Sequence, residues 1–167
     1  MILSDKDLRQ NLKKLLDGTM SIEEIRTLCS AIGKSKYKEG IPALLKFLKD
    51  PDEIVRYNAV ISLGFDLHYK PATERLLELL AKDSDPDVRD ATAGALGVLW
   101  QNTAEPRILK ALGHSAVVDD DEGVRKTAYV YLLIINGVDR EEHLQLLQQQ
   151  DTPINHAKIN EILSRIE

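Results

Sequence analysis

Side chains able to do chemistry are few in this chain, and their spacing does not suit it. His68, His114, His143 and His156 are scattered and none is followed by glutamate, so the His-Glu-x-x-His arrangement that holds a catalytic zinc is missing. Cys29 stands alone and can form neither an internal disulfide nor a Cys-x-x-Cys metal or redox unit. There is no glycine-rich loop to cradle a phosphate and no Gly-x-Ser-x-Gly turn to present a nucleophilic serine. The run Asp119-Asp-Asp-Glu122 has oxygens for a hard cation, but it lacks the glycine and distal glutamate of a calcium-binding loop. A solvated turn with a helix cap accounts for it better. Cys29 falls on the apolar side of an expected helix, which marks it as core and not as nucleophile. No catalytic residue, metal or other cofactor is therefore expected.

The elements that would have to position any site are helical. Leu, Ala, Lys and Glu are abundant while aromatics reach only 5%, a composition that favours helices over sandwiches and barrels. With 43% hydrophobic residues over 167 positions, the chain can bury a core and has the length of one domain or one repeat array. Its net charge of −5 has the wrong sign for a protein that neutralises nucleic-acid phosphates or anionic lipid. The charge is also uneven: residues 1–50 hold 10 Lys+Arg against 7 Asp+Glu, and residues 51–167 hold 12 against 20. The first residues lack the apolar stretch of a secretory signal, and no run approaches the ~18 apolar residues of a membrane span. A cytoplasmic location with no membrane partner is the expectation.

Self-similarity organises the chain. Asp52-Glu-Ile-Val-Arg56, Asp85-Pro-Asp-Val-Arg89 and Asp121-Glu-Gly-Val-Arg125 share the pattern Asp-x-x-Val-Arg. Eight residues beyond the first two arginines come Gly64 and Gly97, each preceded by leucine; the third copy has Leu132 and Leu133. Upstream of each lies an apolar helical stretch beginning near a proline, Pro42, Pro71 or Pro106, where a first helical turn tolerates it. One unit is then two antiparallel helices. Each aspartate sits where a second helix begins, so its carboxylate can accept backbone N–H bonds and oppose the positive helix end. Val55, Ala59 and Leu63, with Val88, Thr92 and Leu96 and with Val124, Ala128 and Leu132, share a face that should form the core. Ser21-Ile-Glu-Glu24 reads as a capping box, and Asp151-Thr-Pro-Ile-Asn155 keeps the spacing of the pattern with asparagine in place of arginine. Taking Asp5–Leu16 and residues 140–148 as partner helices, five hairpins follow, at about residues 4–34, 39–66, 70–101, 104–136 and 139–166, in a single array.

The Asp-x-x-Val-Arg-x-x-Ala…Leu-Gly signature resembles the short HEAT-like repeats of the phycobilisome-lyase type. That resemblance implies an all-α, right-handed α-α superhelix, armadillo-like, whose second helices line a concave surface. It implies that Arg56, Arg89 and Arg125 form a ladder, bonding carboxylates or carbonyls of neighbouring hairpins. It also places Tyr57, Asn58, Ile61 and Phe65, then Asp90, Ala91, Gly94 and Val98, then Lys126, Thr127, Val130 and Ile134, on the concave side. A solvated face would be polar, whereas this set mixes in Ile61, Phe65, Val98, Val130 and Ile134 around a floor kept small by Ala91 and Gly94. An apolar groove for a partner protein is the expectation, against the alternative that Phe65, Val98 and Ile134 pack between repeats. Trp100, the only tryptophan, is expected as a plug between repeats, and the basic stretch Lys34-Ser-Lys-Tyr-Lys38 as a solvated loop.

The function implied is a non-enzymatic adaptor, scaffold or inhibitor, monomeric by itself, that holds another protein. Two further readings are a bilin lyase subunit or chaperone-like partner of a phycobiliprotein, and a HEAT-like DNA-repair protein, which the acidic charge disfavours. Deoxyhypusine hydroxylase resembles this repeat class but needs His-Glu pairs for iron, and here they are missing.

Overall fold

A computed structural model describes residues 4–137, 141, 142, 145 and 153–166. Among them are nine α-helices and no strand: α1 (Asp5–Leu16), α2 (Ile22–Lys34), α3 (Ile41–Phe47), α4 (Glu53–Ile61), α5 (Thr73–Lys82), α6 (Pro86–Leu99), α7 (Pro106–Val118), α8 (Glu122–Ile135) and α9 (His156–Ser164). The chain divides into two compact units, Met1–Arg75 and Leu76–Glu167. In the first, α1 lies on α2, and α2 and α3 lie on α4; in the second, α6 and α7 lie on α8, and α9 on α7. The expected fifth hairpin is described only in α9, because most of residues 140–148 lie outside the described residues.

Local chemistry sets these boundaries. Ser4 and Ser21 open α1 and α2 with reciprocal capping boxes; the Ser21 Oγ accepts from the Glu24 N–H at 3.3 Å while the Ser21 N–H donates to the Glu24 carboxylate at 2.8 Å. Pro42, Pro86 and Pro106 sit in first helical turns, and Pro71 in the short 3-10 turn Lys70–Ala72 that leads into α5. The start of α9 differs from the sequence expectation. Asn155, placed as the counterpart of the repeat arginine, is itself the N-cap, its side chain accepting from the Lys158 N–H at 3.0 Å. Asparagine is among the best N-caps, so the last helix begins four residues later than the repeat spacing implies. Asp151 lies outside the described residues.

Every one of Val55, Ala59, Leu63, Val88, Thr92, Leu96, Val124, Ala128 and Leu132 is buried. The buried Thr92 hydroxyl donates to the Val88 carbonyl at 2.6 Å, so no polar group is stranded there. After α4 the backbone widens into a π-helical segment, Ser62–Asp66, in which the Leu67 N–H reaches the Ser62 carbonyl at 2.9 Å. Ser62 also donates to the Cys29 carbonyl at 2.9 Å, tying this segment to α2.

Candidate interaction surface

The repeated aspartates and arginines come together at the turn inside each hairpin. Asp52 accepts from the N–H groups of Ile54 and Val55 at 2.9 and 3.2 Å, Asp85 from Val88 at 3.0 Å and Asp121 from Val124 at 3.0 Å. The arginine one turn into each helix reaches back over the same turn. Arg56 donates to the carbonyls of Asp50 and Pro51 at 2.9 and 3.0 Å, Arg89 to that of Asp83 at 2.9 Å, and Arg125 to those of Asp119 and Asp120 at 2.6 and 3.1 Å. These carbonyls belong to each arginine's own hairpin, which corrects the expectation that the ladder draws on carbonyls of neighbours. Arg89 also bonds a carboxylate one hairpin on, as the ladder expectation has it. Its Nε and Nη2 grip Asp119 at 2.9 and 2.8 Å in a two-pronged pair with side chains 10% and 7% exposed, and Nη2 also meets Asp120.

A third signature residue escaped the sequence reading. Asp50, Asp83 and Asp119 each stand two positions before the capping aspartate, and each accepts that residue's N–H at 3.0 Å. The full pattern is Asp-x-Asp-x-x-Val-Arg, legible by extending the alignment two residues upstream. Burial pushes the Asp119 carboxyl up, but the bonds from Arg89 and the Asp121 N–H outweigh it and hold the group below the usual carboxylate range. The acidic run at 119–122 is thus occupied by caps and an ion pair. Among the described residues no group of His, Cys, Asp and Glu side chains is placed to hold a metal ion.

Of the residues nominated for a groove in the second unit, several belong to helix packing. Gly94 is buried, Val130 is 9% exposed and Ile134 2%, so none of the three offers a surface to a partner. Asp90, Gly94 and Gly97 recur at i, i+4 and i+7 on α6, the stripe that meets α8. A β-carbon at Gly97 would collide with the Tyr131 ring, and Asp90 accepts a hydrogen bond from Thr127. Gly97, with no side chain of its own, lets α8 approach. Asp90 is half-buried; burial, offset in part by Thr127, and the nearby Asp121 and Asp87 push its carboxyl above the usual range. Val98 is half-buried, and half-buried Lys126 pairs with Glu122 at 2.9 Å.

The first unit differs. On α4, Tyr57 is 38% exposed, and Ile54, one turn earlier and not nominated from sequence, is 45% exposed. Ile61 and Phe65 are half-buried. Asn58 turns its amide back onto the Ile54 carbonyl at 2.7 Å. The repeats provide a control for this stripe. At the register of Ile54 the other second helices carry Asp87 and Gly123, and at that of Tyr57 they carry Asp90 and Lys126. Folding a hairpin therefore does not need apolar side chains at either place.

The remaining candidates for chemistry are dispersed. Cys29 is fully buried and its thiol is pushed up to about 12, chiefly by burial, so it carries no thiolate near neutrality. His68, His114 and His156 are exposed on separate elements, and His143 lies outside the described residues. Trp100 is half-buried at the end of α6. No helix among the described residues is long and apolar enough to cross a membrane.

Comparison with known proteins agrees with this geometry. No curated protein matches the chain. The family model described as HEAT repeats matches twice, over residues 9–97 and 73–155, and so covers most of the sequence without distinguishing a subtype. Second helices opened by aspartate caps, arginines folded over the turns inside their hairpins and a match over this length together place the protein in one family: the chain belongs to the HEAT repeats.

Proposed function

We propose that this chain is a non-enzymatic, cytoplasmic protein-binding module whose docking face in the first unit is the stripe Ile54, Tyr57 and Ile61 on α4. HEAT repeats commonly serve protein interaction, and the observation that carries the residue assignment is the exposure of Ile54 and Tyr57 at positions where sister repeats are polar or small. An aromatic with a polar tip beside branched aliphatics is the composition of an interface anchor. Within the second unit, taken by itself, the nominated positions that keep partial exposure are Asp90, Val98 and Lys126.

Affinity capture from the native host, with wild type beside the Tyr57→Ser/Ile61→Ser double variant, tests the assignment. The partner should be retained by wild type and lost, by at least about tenfold in affinity, from the variant. Retention by a folded variant at wild-type strength would remove the α4 face from the proposal.

A further inference from the structure

Helices α1 and α8 end in the same way. Asp17 and Asn136 are their C-caps, with φ and ψ of −76° and −4° in the first and −71° and −5° in the second. Each is followed by a glycine in the left-handed region, Gly18 at φ +68° and Gly137 at φ +95°. A β-carbon at either glycine would meet no atom within 4 Å, so both stand open. When aspartate or asparagine precedes glycine, the next backbone nitrogen can reach the carbonyl carbon of the side chain and close a five-membered imide ring. A carboxylate repels the anionic nitrogen that must attack it, whereas a neutral amide does not. Asn136 is therefore the reactive member of the two.

The other asparagines are worse placed. Asn11, Asn58, Asn102, Asn155 and Asn160 precede Leu12, Ala59, Thr103, His156 and Glu161, whose side chains crowd the attacking nitrogen. Asn11, Asn58 and Asn160 also lie within α1, α4 and α9, where the next N–H belongs to the helical ladder. At Asn136 the bond to be opened is the last of α8, from the Gly137 N–H to the Ile134 carbonyl at 3.2 Å, and bonds at a helix end open at little cost. Gly137 is exposed, so water reaches the place. We propose that Asn136 is a site of spontaneous deamidation in the folded protein. The Gly137 nitrogen, after losing its proton to hydroxide, bonds to the Asn136 Cγ; the Cγ–Nδ2 bond breaks, and Nδ2 leaves as ammonia with a proton from water. Water then opens the imide at one of its two carbonyls, leaving aspartate or iso-aspartate. The only co-reactant is water. The new carboxylate sits at the C-terminus of α8, where the helix dipole disfavours negative charge. The iso form also lengthens the main chain beside Ile135, whose carbonyl receives the Ala104 N–H at 3.3 Å. The change thus falls at the end of the helix on which α6 and α7 pack, apart from the α4 docking face.

Peptide mapping by mass spectrometry tests the proposal on the intact protein, incubated in mildly alkaline buffer and sampled over time. Asn136 should convert at least about tenfold faster than any other asparagine and yield both aspartate and iso-aspartate. The same chain unfolded in urea supplies the reference rate. Conversion in the folded protein within about tenfold of that rate supports the proposal, and slower conversion than that overturns it. Conversion of another asparagine ahead of Asn136 overturns it as well. Asn136→Gln keeps an amide but moves its carbon out of five-membered reach, so its peptide should stay unchanged over the same period; conversion there at the wild-type rate would assign the chemistry to another mechanism and overturn the proposal.

Discussion

Arg89 and Asp90 are adjacent in sequence and opposite in electrostatic character. Arg89 is nearly enclosed and meets a carboxylate that lies one hairpin further along the chain, so removing it leaves Asp119 buried without its counter-charge. Breaking one side of such a pair costs roughly 3–5 kcal/mol, and Arg89→Ala should lose stability of that order in denaturant titrations. Asp90 is half-buried against Thr127 with its carboxyl raised, chiefly by burial. A carboxyl raised on folding favours the native state fully below its unfolded value, and the benefit is lost as pH rises through its folded value. Asp90→Asn should therefore raise the melting temperature at neutral pH, and the gain should shrink toward zero in thermal melts taken at progressively more acid pH. Asp119 behaves in the opposite sense. Its lowered carboxyl contributes stability above the unfolded value, and that contribution disappears as pH falls through the folded one.

At the scale of the helix, the close approach of α6 to α8 depends on a stripe with almost no side chain. Gly97 within a helix costs about 1 kcal/mol against alanine in propensity, so Gly97→Ala on an isolated helix would stabilise. Here the added methyl would overlap the near atoms of Tyr131, from its β-carbon outward, and overpacking of that kind costs about 1–3 kcal/mol. The expected outcome is a net loss of stability, reversed when Tyr131 is shortened in the same chain. In the first unit Gly33 plays a related part, since a β-carbon there would stand 3.0 Å from that of Ser62 in the π-helical segment. The repeat pattern runs through Gly64 without marking that segment. Its widened turn depends on what packs against it, including the bond from Ser62 to the Cys29 carbonyl.

Across the whole molecule, burial is graded by position in the chain. α1 buries only Leu8, while α6 and α8 are buried along most of their length. Native-state hydrogen exchange should consequently be slower in α6 and α8 than in α1 by about tenfold or more. In repeat architecture a helix is buried by the neighbours that pack on it, and among the described elements α1 lies on α2 while α8 is packed by both α6 and α7. Much of the fold was legible from residue types and spacing: helix starts at Asp52, Asp85 and Asp121, the nine core positions, and the absence of paired histidines or thiols. Those features are local or periodic, and physical chemistry reads them without knowing which helix meets which. The surface was less legible. Gly94, Val130 and Ile134 look from sequence like part of a groove lined by successive second helices, yet all three are buried, so packing takes them from solvent. The pairing of Arg89 with Asp119 and the exposure of Ile54 and Tyr57 were likewise decided by tertiary structure. Each depends on the distance between groups remote in sequence, and a linear pattern carries no such distance.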